Sequence, residues 1–293
     1  MTIPTRPVLR WHGGKWKLGP WIISHFPTHR IYVEPFGGAA SVLIRKSRAF
    51  SEVYNDLDSE VVTLFRVLRD ADHAAELIRR LQLTPFARDE FDLAYQPSDE
   101  PLEVARKLVI RSYMGYASDS AHTAGNTGFR AQSPKSGRSP EKDWLNYPQA
   151  LAAIVDRIAG VVIENRPALQ VMERHDAPDT LHYVDPPYVS ETRSTKSRRG
   201  GARYHVYRHE LEDEDHAELL GFLTRLRGMV ILSGYPCAMY DDALVGWRRV
   251  EREALADGAR PRTEVLWINQ ACAAALDREH RTERQIDLLE AAE

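Results

Sequence analysis

Short apolar runs rich in β-branched residues recur along this chain at 31–34, 52–55, 161–164, 181–185, 229–233 and 264–268. Each has strand length and reads as a buried strand. Helical spacing lies between them. Segments 39–47 and 59–69 follow the first two runs, and Leu211, Leu219, Leu220, Leu223 and Leu226 fall close to one helical face. Alternating strands and helices predict an α/β fold with a mostly parallel sheet covered on both faces. Asp58 and Ser59 are placed to cap the second of these helices, with Glu60 in its first turn. The rhythm stops between about 70 and 159, where 71–81 and 102–113 read as helices and 115–144 is rich in Gly, Ser, Pro and Asn. So long a loop is uncommon in a compact domain unless it is functional. The chain therefore divides into a body, 1–61 plus 159–293, and an inserted, mainly helical lobe, 62–158, that ends in a flexible or hairpin-like segment. The tail after Asp277 reads as a charged surface helix.

Composition narrows the function classes. With 43% hydrophobic and 28% charged residues the chain is ordinary globular material. No apolar run approaches the ~18 residues of a membrane helix, and residues 1–10 lack an apolar signal core. Two distant cysteines, Cys237 and Cys272, make no disulfide framework, so a reducing cytoplasm is expected. The net charge is −3, so any nucleic-acid site must be a local basic patch.

Four segments carry chemistry. The first is Asp185-Pro186-Pro187-Tyr188, directly after an apolar strand. Two prolines end the strand and stiffen the backbone, which holds an Asp and a Tyr where open α/β sheets place their ligands. The second is Glu34-Pro35-Phe36-Gly37-Gly38, a strand end running into glycines and small residues that open a helix. Glycines admit a ligand close to the backbone, and the helix start offers free N–H groups. It is not G-x-G-x-x-G, so a dinucleotide is not indicated. The third is Asp56, 18 residues after Gly38 and at the end of the second strand. An acid there commonly accepts ribose hydroxyls, and Asp58 suits the capping role better. The fourth is Arg10-Trp11-His12-Gly13-Gly14-Lys15, an aromatic, a flexible pair and a cation; Trp16 after Lys15 rules out a phosphate loop.

In this order the four segments resemble the Dam-like, alpha-group DNA adenine methyltransferases, of phage-borne or restriction-associated type, which use S-adenosyl-L-methionine and leave S-adenosyl-L-homocysteine. Segments 211–216, 232–242 with Ser233-Gly234-Tyr235, and 263–269 are also similar to members of that group. The resemblance implies a Rossmann-like class I methyltransferase sheet of seven mostly parallel strands, with a target-recognition lobe where 62–158 interrupts the pattern. It places cofactor contacts on Trp11, Lys15, Glu34, Phe36, Gly37, Gly38, Asp56 and Asp185, and catalysis on Asp185, Pro186, Pro187 and Tyr188. His12 stands where Ala is common in the group, which bears on packing rather than activity. The Asp185 carboxylate and the Pro186 carbonyl would each accept one N–H of the target amine, aiming its lone pair at the methyl group. Tyr188 would stack on the base, which must be flipped from the duplex. No metal is required, and the His205/His209 pair does not match H-E-x-x-H.

The expected partner is double-stranded DNA, approached by a monomer, with a restriction endonuclease as a further partner. Residues 190–209 hold six Lys or Arg against Glu191 alone, a net +5 within a chain of −3. Arg193, Lys196, Arg198, Arg199 and Arg203 of this run read as phosphate contacts. A second patch, in the lobe, holds Arg106, Lys107, Arg111, Arg130, Lys135, Arg138 and Lys142. From it Arg111 and Arg130 are DNA-binding candidates, and Ser112, Asn126, Gln132 and Arg130 could read base edges. Three rivals remain open: transfer to the cytosine N4 amine, transfer to RNA or protein glutamine, and a silent DNA-binding module on the same fold. Asp rather than Ser or Asn before Pro-Pro-Tyr favours adenine in DNA.

Overall fold

The computed structural model describes residues 4–116, 118–121, 127–131, 139–189, 209–255 and 261–290. Its centre is a seven-stranded sheet: β1 (Ile31–Glu34), β2 (Ser51–Asn55), β3 (Val162–Glu164), β4 (Thr180–Val184), β5 (Met229–Gly234), β6 (Arg248–Leu255) and β7 (Pro261–Ile268). The spatial order is β3-β2-β1-β4-β5-β7-β6. β1 pairs in parallel with both β2 and β4, while β7 runs antiparallel between β5 and β6. The order therefore reverses beside β1. The carboxyl ends of β2, β1 and β4 stand side by side at that switch point, where such sheets bind ligands.

Alternation along each strand feeds two cores. Tyr32, Tyr54, Leu181, Tyr183, Ile231 and Leu266 join a large cluster on one face, and Val184, Val230, Leu232, Val265 and Trp267 join a second on the other. The first face is covered by α1 (Gly19–Ile23), α2 (Ser41–Arg45), α3 (Ser59–Arg69) and α11 (Gln270–Glu290). The second carries α8 (Ala168–Arg174), α9 (Asp213–Leu223) and α10 (Ala238–Ala243). Asp58 caps α3, its Oδ1 accepting the Glu60 N–H at 3.0 Å. Among the described residues no helix is long and apolar enough to cross a membrane.

Between α3 and β3 the chain forms α4 (Ala71–Leu83), α5 (Arg88–Leu93), α6 (Pro101–Met114) and α7 (Pro140–Ile158). Their apolar side chains, including Leu77, Phe91, Leu108, Trp144 and Leu151, are continuous with the cluster that holds Leu64 and Tyr54. Residues 4–10 thread across them. Tyr113 and Tyr147 donate their hydroxyls to the carbonyls of Pro7 at 2.9 Å and Val8 at 2.7 Å. The Arg10 N–H donates to Ser112 Oγ at 2.7 Å.

Two sequence expectations need revision. β6 was not among the expected runs: its apolar residues are sparse and its charged side chains are exposed, so only pairing with β7 makes it a strand. The helix expected over 39–47 is only Ser41–Arg45, because Ala40 takes a left-handed φ of 53° to turn the chain out of the glycine loop.

A buried ion cluster ties α7 to the sheet. Arg157 donates to both Glu52 oxygens, at 2.7 and 2.9 Å, and Lys46 Nζ lies 2.7 Å from Oε1. Removing one partner strands a buried charge, so Arg157→Ala should cost about 3–5 kcal/mol. Urea unfolding monitored by fluorescence checks this; an unchanged midpoint would show that the cluster contributes no net stability.

Candidate active site

The site is built from the three strand ends and the segment that precedes the sheet. β1 delivers Glu34, then Pro35-Phe36-Gly37-Gly38. β2 delivers Asn55-Asp56, and β4 delivers Asp185-Pro186-Pro187-Tyr188. Residues 11–15 fold over the top. Together they line a partly open cleft. Every residue expected to touch a cofactor (Trp11, Lys15, Glu34, Phe36, Gly37, Gly38, Asp56, Asp185) lines it, and so do Pro186, Pro187 and Tyr188.

Asn55 locks the floor. Fully buried, its amide donates to the carbonyls of Pro35 at 2.9 Å and Arg166 at 3.0 Å, and its oxygen accepts the Arg166 N–H at 2.9 Å. One side chain thus fixes the ends of β1, β2 and β3 relative to each other. The glycines are dictated by crowding. A Cβ on Gly37 would sit 2.2 Å from the Tyr54 ring, and one on Gly38 would sit 2.5 Å from Trp11 Nε1 at a φ of +46°. Tyr54 also donates its hydroxyl to the Gly38 carbonyl at 2.7 Å.

Asp56 is not idle beside Asp58. Its oxygens accept the N–H groups of Gly38 at 2.7 Å and Asp58 at 2.8 Å, so it shapes the glycine loop while its remaining lone pairs face the cleft. Burial nonetheless pushes its carboxyl up to about 6. Glu34 lies beneath the floor, its Oε2 accepting from the Tyr32 hydroxyl at 2.7 Å and the Leu43 N–H at 2.9 Å. Burial pushes its carboxyl up to about 8, so at neutral pH it is mostly protonated.

A turn from Trp11 to Gly14 curls Lys15 inward, where it is 5% exposed. Its ammonium donates to the Gly13 carbonyl at 2.9 Å, stands 3.0 Å from Asp185 Oδ1, and lies 4.7 Å from the Tyr188 ring centre. Oδ1 itself is buried and has the Lys15 ammonium as its close charged neighbour. Burial, opposed by Lys15 and reinforced by the negative Glu264, raises the Asp185 carboxyl to about 6. A carboxylate has further lone pairs beyond the pair with Lys15, and these can accept a ligand N–H.

Several residues at the site carried no role in the sequence reading. Leu57, Ala168, Tyr183, His209, Glu210 and Leu211 line the cleft. Glu264 accepts the Tyr188 hydroxyl at 2.9 Å, Ser233 Oγ lies 3.5 Å from it, and the Tyr235 ring meets Tyr188 edge-on at 4.5 Å. The signal available was the pair of segments around Ser233–Tyr235 and Thr263–Asn269, but no spacing rule joins positions so far apart.

The basic residues separate into three groups. Arg193, Lys196, Arg198, Arg199 and Arg203 lie outside the described residues. The described chain leaves the cleft wall at Tyr188 and rejoins it at His209. Arg130 is partly buried, 3.5 Å from Asp143 Oδ2. Arg111 is a correction: it is buried, ion-paired to Glu60 and bonded to the Ala94 carbonyl at 2.7 Å, so it braces α6 against α3 and α5 rather than meeting DNA. Ser112 is likewise fully buried and engaged with Arg10, out of reach of a base edge. Asn126 and Gln132 lie outside the described residues.

The glycine loop yields a direct check. Gly37→Ala forces its methyl group into the buried Tyr54 ring, and such overpacking costs about 1–3 kcal/mol. Denaturant titration should show that loss; wild-type stability would mean that the ring yields freely.

A family model described as D12 class N6 adenine-specific DNA methyltransferase matches residues 11–246. The matched span opens at Trp11, takes in all three strand ends, and stops before β6 and β7. Comparison with individually curated proteins gave no match. Because the match covers most of the chain and every element of the cleft floor, the protein belongs to the D12 class of N6 adenine-specific DNA methyltransferases, which methylate adenine at specific sites in DNA.

Proposed function

We propose that this protein binds S-adenosyl-L-methionine in the cleft and methylates the N6 amine of an adenine flipped out of duplex DNA, with Asp185 at the reacting amine. The position of Asp185 directly after β4, its Oδ1 buried, lining the cleft beside Tyr188 and ion-paired to Lys15, carries this reading. The cleft suits the cofactor chemically. Gly37 and Gly38 line the cleft with backbone alone, against which the ligand would lie. Asp56 stands at one end with lone pairs for ribose hydroxyls, and Asp185 stands at the other near a sulfonium charge. When bound, the cofactor supplies an electrophilic methyl group.

The protein supplies position and electrostatics. The adenine amine is a poor nucleophile because its lone pair is delocalised into the ring. Asp185 accepts one N–H and the Pro186 carbonyl the other, drawing the amine toward a tetrahedral form. Lys15 keeps Asp185 oriented and must yield Oδ1 when the amine arrives. Tyr188 offers a ring for stacking. Such chemistry needs an extruded base, because the geometry is unreachable within a duplex. Among the described residues no group of three or more His, Cys, Asp or Glu is placed to hold a metal ion, and the reaction as written uses none.

The DNA is held by two elements in this reading. The basic segment that carries Arg193, Lys196, Arg198, Arg199 and Arg203 contacts phosphates beside the cleft. The insert at 62–158 is the target-recognition lobe, with Arg130 exchanging Asp143 for a guanine edge. The protein works as a monomer in the cytoplasm, alone or beside a restriction endonuclease.

Incubation with duplex DNA and labelled cofactor, followed by mapping of the modified base, should find N6-methyladenine at one defined sequence. N4-methylcytosine as the product would overturn the assignment. Asp185→Ala should lower turnover ~100-fold or more while the fold persists. A variant retaining more than a few per cent of the rate would remove Asp185 from the reacting centre. Asp56→Ala should weaken cofactor binding by roughly 10- to 150-fold, the worth of a charge-assisted hydrogen bond. Calorimetry giving an unchanged affinity would take Asp56 out of the cofactor site.

A further inference from the structure

Glu264 is a charged residue where the fold asks for an apolar one. β7 lies inside the sheet between β5 and β6, and its neighbours Val265, Leu266, Trp267 and Ile268 are all buried. Glu264 is itself only 7% exposed. A carboxylate at such a position costs stability unless it is hydrogen-bonded, and Leu or Val would serve the sheet better. Because β7 is antiparallel, its first residues return to the carboxyl edge of the sheet, beside the end of β5. This places Glu264 next to the catalytic end of the cleft. There its Oε2 accepts the Tyr188 hydroxyl at 2.9 Å, and Ser233 Oγ stands 3.5 Å from the same hydroxyl.

Tyr188 needs such an anchor. Pro186 and Pro187 stiffen the backbone before it but leave its side-chain torsions free. In the structure the ring is bounded by the Lys15 ammonium at 4.7 Å and by the edge-on Tyr235 ring at 4.5 Å. Neither contact fixes the phenol along its long axis; the Glu264 hydrogen bond does. We propose that Glu264 is a positioning residue for Tyr188, holding the phenol by its hydroxyl so that the ring presents one fixed face to the extruded base. This rests on the role for Tyr188 given under the proposed function. Glu264 lies beyond residues 11–246, the span that the family model matches.

The same carboxylate is one of the charges around Asp185. Asp185 faces Lys15 from the N-terminal segment, Glu34 from β1, Tyr183 from β4, its own neighbour Tyr188, and Glu264 from β7. Glu264 in turn faces Tyr235, which also neighbours Arg262. Removing the negative charge of Glu264 makes ionisation of Asp185 easier, so Asp185 would titrate at lower pH.

The test uses the full chain with Glu264→Leu, Glu264→Gln, Tyr188→Phe and the double variant Glu264→Leu/Tyr188→Phe. Leu fills the buried position without an acceptor; Gln keeps an acceptor oxygen and removes the charge. Glu264→Leu should lower kcat/KM about 10-fold or more, because misplacing a positioning group is costly, with no fall in Tm and no change in cofactor affinity. Glu264→Gln should recover most of that loss. In the Tyr188→Phe background Glu264→Leu should cost nothing further, since the bond it breaks is already gone. The acid limb of the kcat/KM profile should move to lower pH in both Glu264 variants. Independently of turnover, 19F NMR of protein carrying 3-fluorotyrosine should show the Tyr188 signal, assigned by its absence in Tyr188→Phe, shifted and broadened in Glu264→Leu and restored in Glu264→Gln. Multiplicative losses in the double variant, or an unmoved Tyr188 signal in Glu264→Leu, would overturn the proposal. If the wild-type chain made no N6-methyladenine while the signal responded as expected, the proposed function would fail and the anchoring of Tyr188 would stand.

Discussion

The placement of β1 between β2 and β4 is the constraint on which the rest depends. Three parallel strands end side by side: β1 ends in Glu34, β2 in Asn55, and β4 in Val184 with Asp185 directly after it. A parallel sheet puts all its carboxyl ends on one edge, so neighbouring strands deliver their following residues to one place. Asn55 then converts adjacency into fixed geometry by bonding both flanking loops from a fully buried position. The Gly37 N–H bond to the Asn55 carbonyl and the Gly38 N–H bond to Asp56 tie the glycine loop to the Asp56 turn as well, so a common ligand meets both already ordered.

The cleft concentrates acids with little compensating positive charge. Glu34 is pushed toward its neutral form by burial, and Asp56 and Asp185 are raised into the range just below neutral. Among the described residues lining the cleft, Lys15 is the cation at the catalytic end. An unbalanced set of acids suits a cationic ligand, as the proposed sulfonium cofactor would be. Lys15 opposes the rise at Asp185, whose carboxyl at about 6 is mostly ionised at neutral pH and able to accept an N–H.

The insert is joined to the cleft by the strap at residues 4–10. Tyr113, Tyr147 and Ser112 hold its backbone, and Arg10 donates to the Gly115 carbonyl at 3.1 Å before the chain enters the Trp11 turn. The helices α4–α7 thus share a core with the sheet and grip the segment that roofs the cleft. If the insert reads DNA as proposed, its contacts are mechanically close to the residues that line the cleft.

Much of this was legible in the sequence, and for physical reasons. Buried parallel strands must be apolar on both faces, so most of them stand out as short runs. Asp185–Tyr188, Glu34–Gly38 and Asp56 sit at or directly after such a run, and Trp11–Lys15 stands out by its own aromatic, glycine and lysine pattern, so local reading was enough to find them, and all line one cleft. The edge strand β6 was hidden because its exposed faces permit charges, and the burial of Arg111 and Ser112 was hidden because a basic or hydroxylated residue on a helix looks the same whether it faces solvent or braces a neighbour. Glu264 was beyond reach for another reason. Its partner Tyr188 is 76 residues away, and only the antiparallel return of β7 beside β5 brings the two together. The sequence determined which strands exist and what chemistry each strand end carries, because propensity and pattern are local; the tertiary structure decided which of those ends meet and which charges are buried, because pairing order and packing are not.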